Sequence, residues 1–293
     1  MSLILCPVCK SNDFRIIYRS NLTGDAHEVK TKEFTYGANV KQNGQIVRCK
    51  ECNLIYVNPQ EENIKELYEQ TEDEIYELSK ESRMAGFKKD MESIGIGKLL
   101  DVGCSTGIFL EVAKEKGLDV YGIELSKWSY KKSKIITGNV YNKELEKCMF
   151  KNNFFDIVTM WDVLEHLTDP NIELKEIHRI LKKDGNLIIT TPNINSFFSR
   201  LTKRNWWAIM RMHLFYFSPN TITKLLNNNK FNVIQIKSYS RTIMLKYSIE
   251  WLKSYKYLYN ILKLIVKSKL GRFKIRVNTG DTMIVYAKKI YSK

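Results

Sequence analysis

The stretch Lys98-Leu-Leu-Asp-Val-Gly-Cys-Ser-Thr-Gly-Ile-Phe-Leu110 decides the fold of this 293-residue chain. Its apolar start, residues 98–102, leads into Gly103 and Gly107, and an amphipathic pattern begins at Ile108. That order predicts a buried strand, a tight turn and the start of a helix. A glycine turn at the carboxyl end of a strand lets a ligand approach the backbone, and the following helix points free amides at it. The sequence therefore predicts a ligand-binding turn in an α/β fold.

The glycine spacing in this turn distinguishes between two cofactor classes. A dinucleotide fingerprint requires glycine at three positions, which here are Gly103, Ser105 and Ile108. The stretch instead resembles the first motif of class I S-adenosylmethionine-dependent methyltransferases, an acidic residue followed by Gly-x-Gly-x-Gly. Asp101, Gly103 and Gly107 match that motif, and Ser105, another small residue, replaces the middle glycine. The resemblance implies that the turn binds S-adenosylmethionine.

Two later strands of the predicted sheet offer further contacts. The run Asp119-Val-Tyr-Gly-Ile-Glu124 predicts a second strand, and Glu124 at its end can accept hydrogen bonds from both ribose hydroxyls of a nucleoside. Dehydrogenases share this feature, so it supports a nucleoside cofactor without choosing one. A third strand is expected to end near Ile136-Thr-Gly-Asn-Val140, where the methyltransferase family often places an acid against the adenine amino group. This chain offers Asn139, whose amide oxygen can accept the same bond.

The predicted fourth strand favours a methyltransferase over a dehydrogenase. Phe154-Phe-Asp-Ile-Val-Thr-Met-Trp-Asp-Val-Leu-Glu-His-Leu-Thr-Asp-Pro170 strongly resembles the fourth-strand motif of small-molecule class I methyltransferases. The resemblance covers residues 61–290 and implies an α/β, doubly wound, seven-stranded Rossmann-like sheet whose last strand runs antiparallel beside the fifth. The cofactor-binding residues that it implies are Asp101, Gly103, Cys104, Ser105, Gly107, Glu124, Leu125, Asn139, Trp161 and Asp162.

Two of the four histidines are candidate catalytic bases. Methyl transfer from a sulfonium needs a base only when the acceptor is a hydroxyl or an acidic carbon. His166 lies in the turn after the fourth strand, and His213 lies in the aromatic-rich segment 193–217. His166 has the alternative role of stabilising its turn. The aromatic segment leaves the carboxyl end of the fifth strand, so its rings either form a substrate wall or pack a local core.

Four of the six cysteines form two C-x-x-C pairs, Cys6 with Cys9 and Cys49 with Cys52. Two cysteines three apart in a tight turn direct both thiolates at one tetrahedral ion. We predict that residues 1–58 form a separate zinc-ribbon module with one structural zinc on these four cysteines. In a cytosolic protein such pairs indicate metal before disulfide, and redox dithiol chemistry is the alternative. A closed four-thiolate shell leaves no open position, so no catalysis is expected at this metal.

The positive charge is concentrated near the carboxyl end. The formal net charge is +15, and residues 241–293 contain 13 Lys or Arg against two acidic residues. Within residues 243–270, polar side chains that are mostly lysine recur at steps of three and four, which predicts a helix with one polar stripe. We interpret residues 241–272 as a helical insertion before the last strand. The helix is either a lid or an interfacial helix on an anionic membrane.

The chain thus divides into the ribbon, leading helices at residues 59–97 and a cofactor domain at residues 98–293. The zinc-ribbon-first layout resembles a bacterial group linked to sugar or surface-glycan modification. We therefore expect a methyltransferase acting at oxygen or nitrogen of a small-molecule, sugar or glycan, or lipid-linked acceptor. The apolar runs are too short to span a bilayer, which predicts a cytoplasmic protein, or one peripheral to the inner face of the membrane.

Three other functions are weighed against this one. An RNA methyltransferase could grip nucleic acid with the ribbon and the basic tail, but segment 1–58 is not strongly basic. A non-enzymatic docking protein would tolerate loss of the glycine turn or of Glu124, and both are present. The fourth-strand motif is not expected in a nicotinamide-dependent enzyme.

Overall fold

The computed structural model describes residues 1–22, 43–244 and 274–290. These residues contain thirteen strands and eight α-helices. The strands are β1 (Phe14–Tyr18), β2 (Ile46–Cys49), β3 (Ile55–Val57), β4 (Lys98–Val102), β5 (Asp119–Ile123), β6 (Val140–Tyr141), β7 (Phe155–Trp161), β8 (Leu181–Pro192), β9 (Phe215–Tyr216), β10 (Phe231–Ser238), β11 (Arg241–Met244), β12 (Lys274–Val277) and β13 (Thr282–Lys289). The helices are α1 (Ile64–Glu69), α2 (Glu74–Leu78), α3 (Lys80–Asp90), α4 (Ile108–Glu115), α5 (Lys127–Ile136), α6 (Pro170–Ile180), α7 (Phe197–Thr202) and α8 (Pro219–Asn228).

A seven-stranded sheet forms the centre of the described chain, in the order β10-β13-β8-β7-β4-β5-β6. Strands β4 to β8 pair in parallel, and β13 pairs antiparallel with both β8 and β10. Leu99 and Leu100 of β4 are fully buried in cores on opposite faces of the sheet, because successive strand residues alternate sides. The predicted doubly wound sheet, with its antiparallel last strand beside the fifth, is confirmed.

The strand order reverses between β4 and β7, which lie side by side although β5 and β6 come between them in the chain. Ligands of open α/β sheets bind in the crevice beyond the carboxyl ends of the strands at such a reversal. The turns after β4, β5, β6 and β7 therefore meet at one edge, and the candidate site is built there.

The cysteine-bearing segment is joined to the rest of the described chain by strand pairing. Its strands β1, β2 and β3 continue into β9, which lies far along the chain, through the pairs Ile55 with Tyr216 and Tyr56 with Phe215. The Val57 amide also donates to the Leu214 carbonyl, 2.8 Å away. The physical reason is that β3 would otherwise leave an apolar edge with unpaired backbone groups in water. The ribbon and the main sheet consequently share one core.

The aromatic segment 193–217 takes the second of its two predicted roles. Trp206, Phe215 and Phe217 are buried and pack in the core shared with the ribbon, whereas Phe197 is 72% exposed on α7. The buried rings are therefore not available as a substrate wall. Large aromatic side chains contribute most when they are removed from water, and the ribbon supplies the surface that covers them.

The predicted helical insertion 241–272 begins as a strand. Residues 241–244 form β11, which pairs antiparallel with β12. The helix prediction is wrong for these residues, where β-branched Thr242 and Ile243 favour an extended backbone with a paired neighbour. The remainder of the predicted helix, residues 245–270, lies outside the described residues. Within the described residues, no helix is both long and apolar enough to cross a bilayer.

Candidate functional site

The turn after β4 is shaped by two glycines in left-handed conformations. Gly103 has φ +71° and Gly107 has φ +84°, a region that disfavours other residues. A Cβ added to Gly103 would lie 2.5 Å from Cγ2 of Val163 in the turn after β7. The Gly103 amide is held by the Ile123 carbonyl at 2.8 Å. The two turns are thus packed so closely that only glycine fits between them.

Glu124, at the end of β5, is tied directly to this turn. Its Oε2 accepts a hydrogen bond from the Ser105 amide at 2.8 Å, and its Oε1 accepts one from the Ser126 amide at 2.7 Å. Burial raises the pKa of the Glu124 carboxyl to about 7. The carboxylate is therefore held rigidly at the sheet edge, facing the glycine turn, as a sugar-binding acid would be.

Asp101 and Cys104 support the turn from inside the protein. The Thr159 hydroxyl donates to Asp101 Oδ1 at 2.7 Å, and burial raises the pKa of Asp101 to about 8. Cys104 is buried against β5, where a Cβ on Gly122 would lie 2.8 Å from its Sγ. Both side chains were predicted to bind cofactor. Asp101 lies on β4, whose side chains alternate between the two faces, and Cys104 lies in the turn after it; both side chains are buried.

Asn139 lies beside the third strand of the parallel part of the sheet. It precedes β6, and its carbonyl accepts from the Gly122 amide at 3.0 Å. The residue that follows β6 at the site edge is Asn142, whose Nδ2 donates to the carbonyls of Glu124 at 2.7 Å and Leu125 at 2.8 Å. The strand ends at Tyr141, one residue beyond the stretch 136–140 in which its end was predicted, and Ile136 belongs to α5.

Trp161 and Asp162 close β7 at the same edge. Trp161 packs between Phe109 and Phe87, with ring centroids 4.9 and 5.2 Å away, and its buried Nε1 has no hydrogen-bond partner among the described residues. Asp162 has φ +56° and pairs with Arg241 at 2.8 Å. Trp161 therefore forms part of an aromatic wall at this edge. Asp162 anchors β11, on which Arg241 lies.

Glu165, His166 and His213, named here the Glu–His cluster, come together beside this edge. Each offers a ligand atom, and these atoms all lie within 4.8 Å of one another. His166 Nδ1 is 2.9 Å from the Met212 carbonyl, and His213 Nδ1 is 2.8 Å from the Ala208 carbonyl. Burial lowers the pKa of both imidazoles, that of His213 well below its usual range, so both are neutral at neutral pH. Burial also raises the pKa of the Glu165 carboxyl well above its usual range.

Cys6, Cys9, Cys49 and Cys52, named here the cysteine cluster, also converge. Their sulfur atoms all lie within 4.8 Å of one another, with Cys6 3.4 Å from Cys52 and Cys9 3.4 Å from Cys49. All four are free thiols. Bonds of about 2.3 Å to one tetrahedral zinc would place sulfurs about 3.8 Å apart. The group is therefore suited to hold a metal ion.

The structure thus gathers part of the predicted site and adds to it. Gly103, Ser105 and Gly107 lie at one edge with Glu124, Leu125, Trp161 and Asp162. The side chains of Asp101 and Cys104 are buried, and Asn139 precedes β6. Sequence reasoning missed Asn142, Glu165 and Tyr68. Asn142 would have followed from a correct end of the third strand, and Glu165 stands next to His166 in the quoted motif. Tyr68, on α1, belongs to no sequence motif from which its place near the site could have been predicted.

Comparisons with known proteins agree with this geometry. A family model described as a methyltransferase domain matches residues 63–236, more than half of the chain. One curated relative is the ubiquinone biosynthesis O-methyltransferase of Pelagibacter ubique, 32% identical over 124 residues, which are 40% of this chain and 49% of the relative. Another is the enzyme of the same name from Bradyrhizobium diazoefficiens, 24% identical over 159 residues, 50% of this chain and 63% of the relative. The chain spans about half the length of the curated relatives it matches.

Solved structures share the fold. A SAM-dependent methyltransferase from Archaeoglobus fulgidus aligns with a TM-score of 0.52 and 19% identity, over 74% of this chain and 100% of its own. A SAM-dependent methyltransferase from Thermotoga maritima aligns with a TM-score of 0.51 and 19% identity, over 74% of this chain and 94% of its own. At this level of identity the likeness shows a common fold.

Proposed function

The chain belongs to the methyltransferase-domain family, and on that premise we propose that it transfers a methyl group from S-adenosylmethionine to a small-molecule, sugar or glycan, or lipid-linked acceptor. The observation that carries the proposal is the hydrogen bond from the Ser105 amide in the glycine turn to the Glu124 carboxylate. It joins the two elements that hold the two ends of a nucleoside cofactor. An acidic side chain at the end of the second parallel strand can accept hydrogen bonds from the ribose hydroxyls of a nucleoside.

The residues at this edge fit such a cofactor. Gly103 and Gly107 leave the backbone open to close approach, and the Thr106 hydroxyl between them is buried without a hydrogen-bond partner among the described residues. A cavity of about 210 Å³ lies beside Leu125 and Asn142, and we assign the adenine base to it. Because the Asn142 amide nitrogen is occupied by two carbonyls, its oxygen is left to accept from the adenine amino group.

S-adenosylmethionine supplies a methyl group that is already electrophilic on its sulfonium. The contribution of this chain is therefore to hold the cofactor and acceptor in line, an effect that can be worth about 7–11 kcal/mol. Glu124 fixes the ribose end, and the glycine turn fixes the amino-acid end. We assign the acceptor to the side of the Glu–His cluster. Transfer to oxygen is favoured over transfer to nitrogen because the curated relatives carry O-methyltransferase names.

We also propose that the cysteine cluster holds one structural zinc. Three of its four sulfurs belong to buried residues, and the four ligands complete a tetrahedral shell without an open position. The ion would hold the two turns of the ribbon together and take no part in methyl transfer.

Isothermal calorimetry on the full chain tests the cofactor assignment. We expect S-adenosylmethionine and its demethylated product to bind and NAD to give no heat. Binding of NAD in place of S-adenosylmethionine would overturn the proposed function. Incubation with methyl-labelled cofactor and fractionated cell extract then identifies the acceptor class by whether the label follows RNA, lipid or small polar molecules.

Contact with an anionic membrane through residues 243–270 stays a prediction, because most of that segment lies outside the described residues. It is tested by cosedimentation with vesicles that contain anionic lipid. We expect binding at low salt and release at high salt, since exposed charges are screened within about 10 Å at 0.1 M. Protein that stays in the supernatant at low salt would contradict membrane contact.

A further inference from the structure

We propose that the Glu–His cluster is a divalent-cation site that borders the position of the methyl acceptor. Its residues come from two separate segments, the turn after β7 and the loop before β9. The two imidazole rings lie 4.6 Å apart between centroids at an angle of 74°, and a Glu165 oxygen lies within 4.8 Å of a nitrogen of each. Ligands of one ion stand about this close, since metal–nitrogen and metal–oxygen bonds are about 2.0–2.2 Å long.

The backbone around the histidines fixes which ring nitrogen is free. His166 Nδ1 faces the Met212 carbonyl and His213 Nδ1 faces the Ala208 carbonyl. A carbonyl only accepts hydrogen bonds, so each Nδ1 carries the proton and each Nε2 keeps its lone pair. Metal-binding histidines have this arrangement, in which the second nitrogen donates to a carbonyl and orients the ring. Two neutral imidazoles are thus already oriented as ligands.

Glu165 is the carboxylate ligand of the proposed site. Its side chain is 0% exposed, and the neighbours that favour its charged form are the Thr191 hydroxyl and Arg241. Burying a carboxylate without a partner is costly, and such groups are normally paired or coordinate a metal. Arg241 favours the charged carboxylate, but its guanidinium is already paired with Asp162 at 2.8 Å. A bound divalent cation would compensate the buried carboxylate.

The donor set indicates which cations fit. Two nitrogens and one carboxylate oxygen suit zinc and the first-row ions manganese, iron and cobalt, whereas magnesium and calcium prefer oxygen ligands. Three protein ligands leave at least one position open. His166 is partly exposed, whereas His213 is 2% exposed, so the open side of the ion faces His166 and solvent.

That open side lies next to the proposed cofactor. Val163, two residues before Glu165, touches the glycine turn at Gly103. On the other side, the Tyr68 ring lies 6.4 Å from the His166 ring, and burial together with the nearby Glu124 carboxylate raises the pKa of Tyr68 well above its usual range. Tyr68 therefore spans the distance between the ribose-binding acid and the cation site.

This part of the inference rests on the proposed function and specifies its acceptor as a hydroxyl compound. A hydroxyl held at a divalent cation loses its proton more readily. The oxygen then forms a bond to the methyl carbon while the carbon–sulfur bond breaks and its electron pair stays on sulfur. The hydroxyl proton leaves to solvent. An amine acceptor would gain nothing, because the cation would occupy the lone pair that has to attack.

The test titrates Mn²⁺ into full-length protein whose cysteine cluster is already loaded with zinc, with binding followed by electron paramagnetic resonance. Manganese does not displace zinc from thiolates, because it binds such sites far more weakly. We expect one Mn²⁺ site per chain. Glu165→Gln and His166→Gln should each weaken it at least about 100-fold, since removing even a group that merely orients a ligand costs 10–100-fold.

His178→Gln is the matched control, because this histidine also faces a backbone carbonyl, that of Ile290, but lies outside the cluster. It should bind Mn²⁺ like the wild type. His166 is partly exposed, so its variant should keep the fold, as thermal unfolding and retained zinc would show. No Mn²⁺ binding by the wild type, or unchanged binding by a folded His166→Gln, would overturn the cation site.

Calorimetry with S-adenosylmethionine on the same samples separates this proposal from the proposed function. Cofactor binding without Mn²⁺ binding would overturn the cation site and leave the methyltransferase proposal standing. Mn²⁺ binding without cofactor binding would overturn the methyltransferase proposal and leave the cation site standing.

Discussion

The cysteine cluster and the Glu–His cluster are both groups of side chains that can ligate a cation, yet their residues are spaced differently along the chain. The cysteine cluster is assembled from two C-x-x-C pairs, and each pair already directs two sulfurs at one point. The Glu–His cluster joins two adjacent residues to a single histidine on a distant loop. The cysteine cluster can be predicted from the short-range spacing of its residues in the sequence. The Glu–His cluster exists only because the fold brings His213 back to the turn after β7.

The two clusters also differ in what they can do. Four thiolates around zinc form a closed shell, which suits a structural role. Two imidazoles and a carboxylate leave positions open, which suits binding of a further ligand. The clusters are connected, however, since Leu214 accepts a hydrogen bond from Val57 of the ribbon and donates one to the Glu165 carbonyl at 2.8 Å. The ribbon is thus a support for the Glu–His cluster.

The largest effect is expected from Cys49→Ser. Binding of structural zinc contributes about 10–16 kcal/mol in small zinc modules, so removing one ligand should release the ion and unfold the ribbon. Because β9 pairs with the ribbon, Mn²⁺ affinity at the Glu–His cluster should fall as well. Elemental analysis, thermal unfolding and Mn²⁺ titration measure the three results. Glu165→Gln is the reciprocal variant and should retain zinc. A Cys49→Ser protein with normal Mn²⁺ affinity would show that the clusters are independent.

Phe215→Ala tests the strand that joins the two regions. Phe215 is 1% exposed in the shared core, and removing a buried phenylalanine side chain costs about 3–5 kcal/mol. Phe197→Ala is the matched control on the same segment, with 72% exposure, and should change stability by less than about 0.5 kcal/mol. Urea unfolding of both variants gives the comparison. Similar losses from both substitutions would mean that the aromatic segment does not pack as described.

Glu124→Gln should affect the cofactor site without affecting the cysteine cluster or the Glu–His cluster. The variant loses the charged acceptor, and a hydrogen bond to a charged group is worth about 1.5–3 kcal/mol. We expect S-adenosylmethionine to bind about 10–100-fold more weakly, while zinc content and Mn²⁺ affinity stay unchanged. Calorimetry and metal titration are the measurements. Unaltered cofactor affinity would remove Glu124 from the site.

The smallest effect concerns pH. Burial raises the pKa of Glu124 to about 7, so as pH falls through that value the carboxylate takes up a proton and loses acceptor capacity. Cofactor affinity should therefore fall on the acid side, by at most about tenfold per pH unit, and level off on the alkaline side. Glu173 has a pKa raised to about 7 by burial as well, but it lies on α6 outside the site. Glu173→Gln should leave the profile unchanged, whereas Glu124→Gln should flatten it. A wild-type affinity independent of pH would contradict the assignment.

The main sheet was predictable because its signals are local. The run at residues 98–107 specifies strand, glycine turn and helix in order, and parallel strands place their carboxyl-end turns at one edge. The failures are equally physical. Asn142 was missed because β6 ends one residue beyond the stretch 136–140 in which its end was predicted. Residues 241–244 were assigned to a helix because their pairing partner, β12, is distant in sequence.

By itself the sequence determined the cofactor turn, the acid at the end of β5 and the cysteine cluster, since each rests on a few neighbouring residues whose backbone geometry follows from their types. Only the tertiary structure decided that the ribbon is joined to the sheet by β9, that Asp101 and Cys104 face inward, and that His213 meets Glu165 and His166. Those results depend on which apolar surfaces cover one another. Burial is a property of the whole chain, whereas sequence patterns record mainly the preferences of each segment.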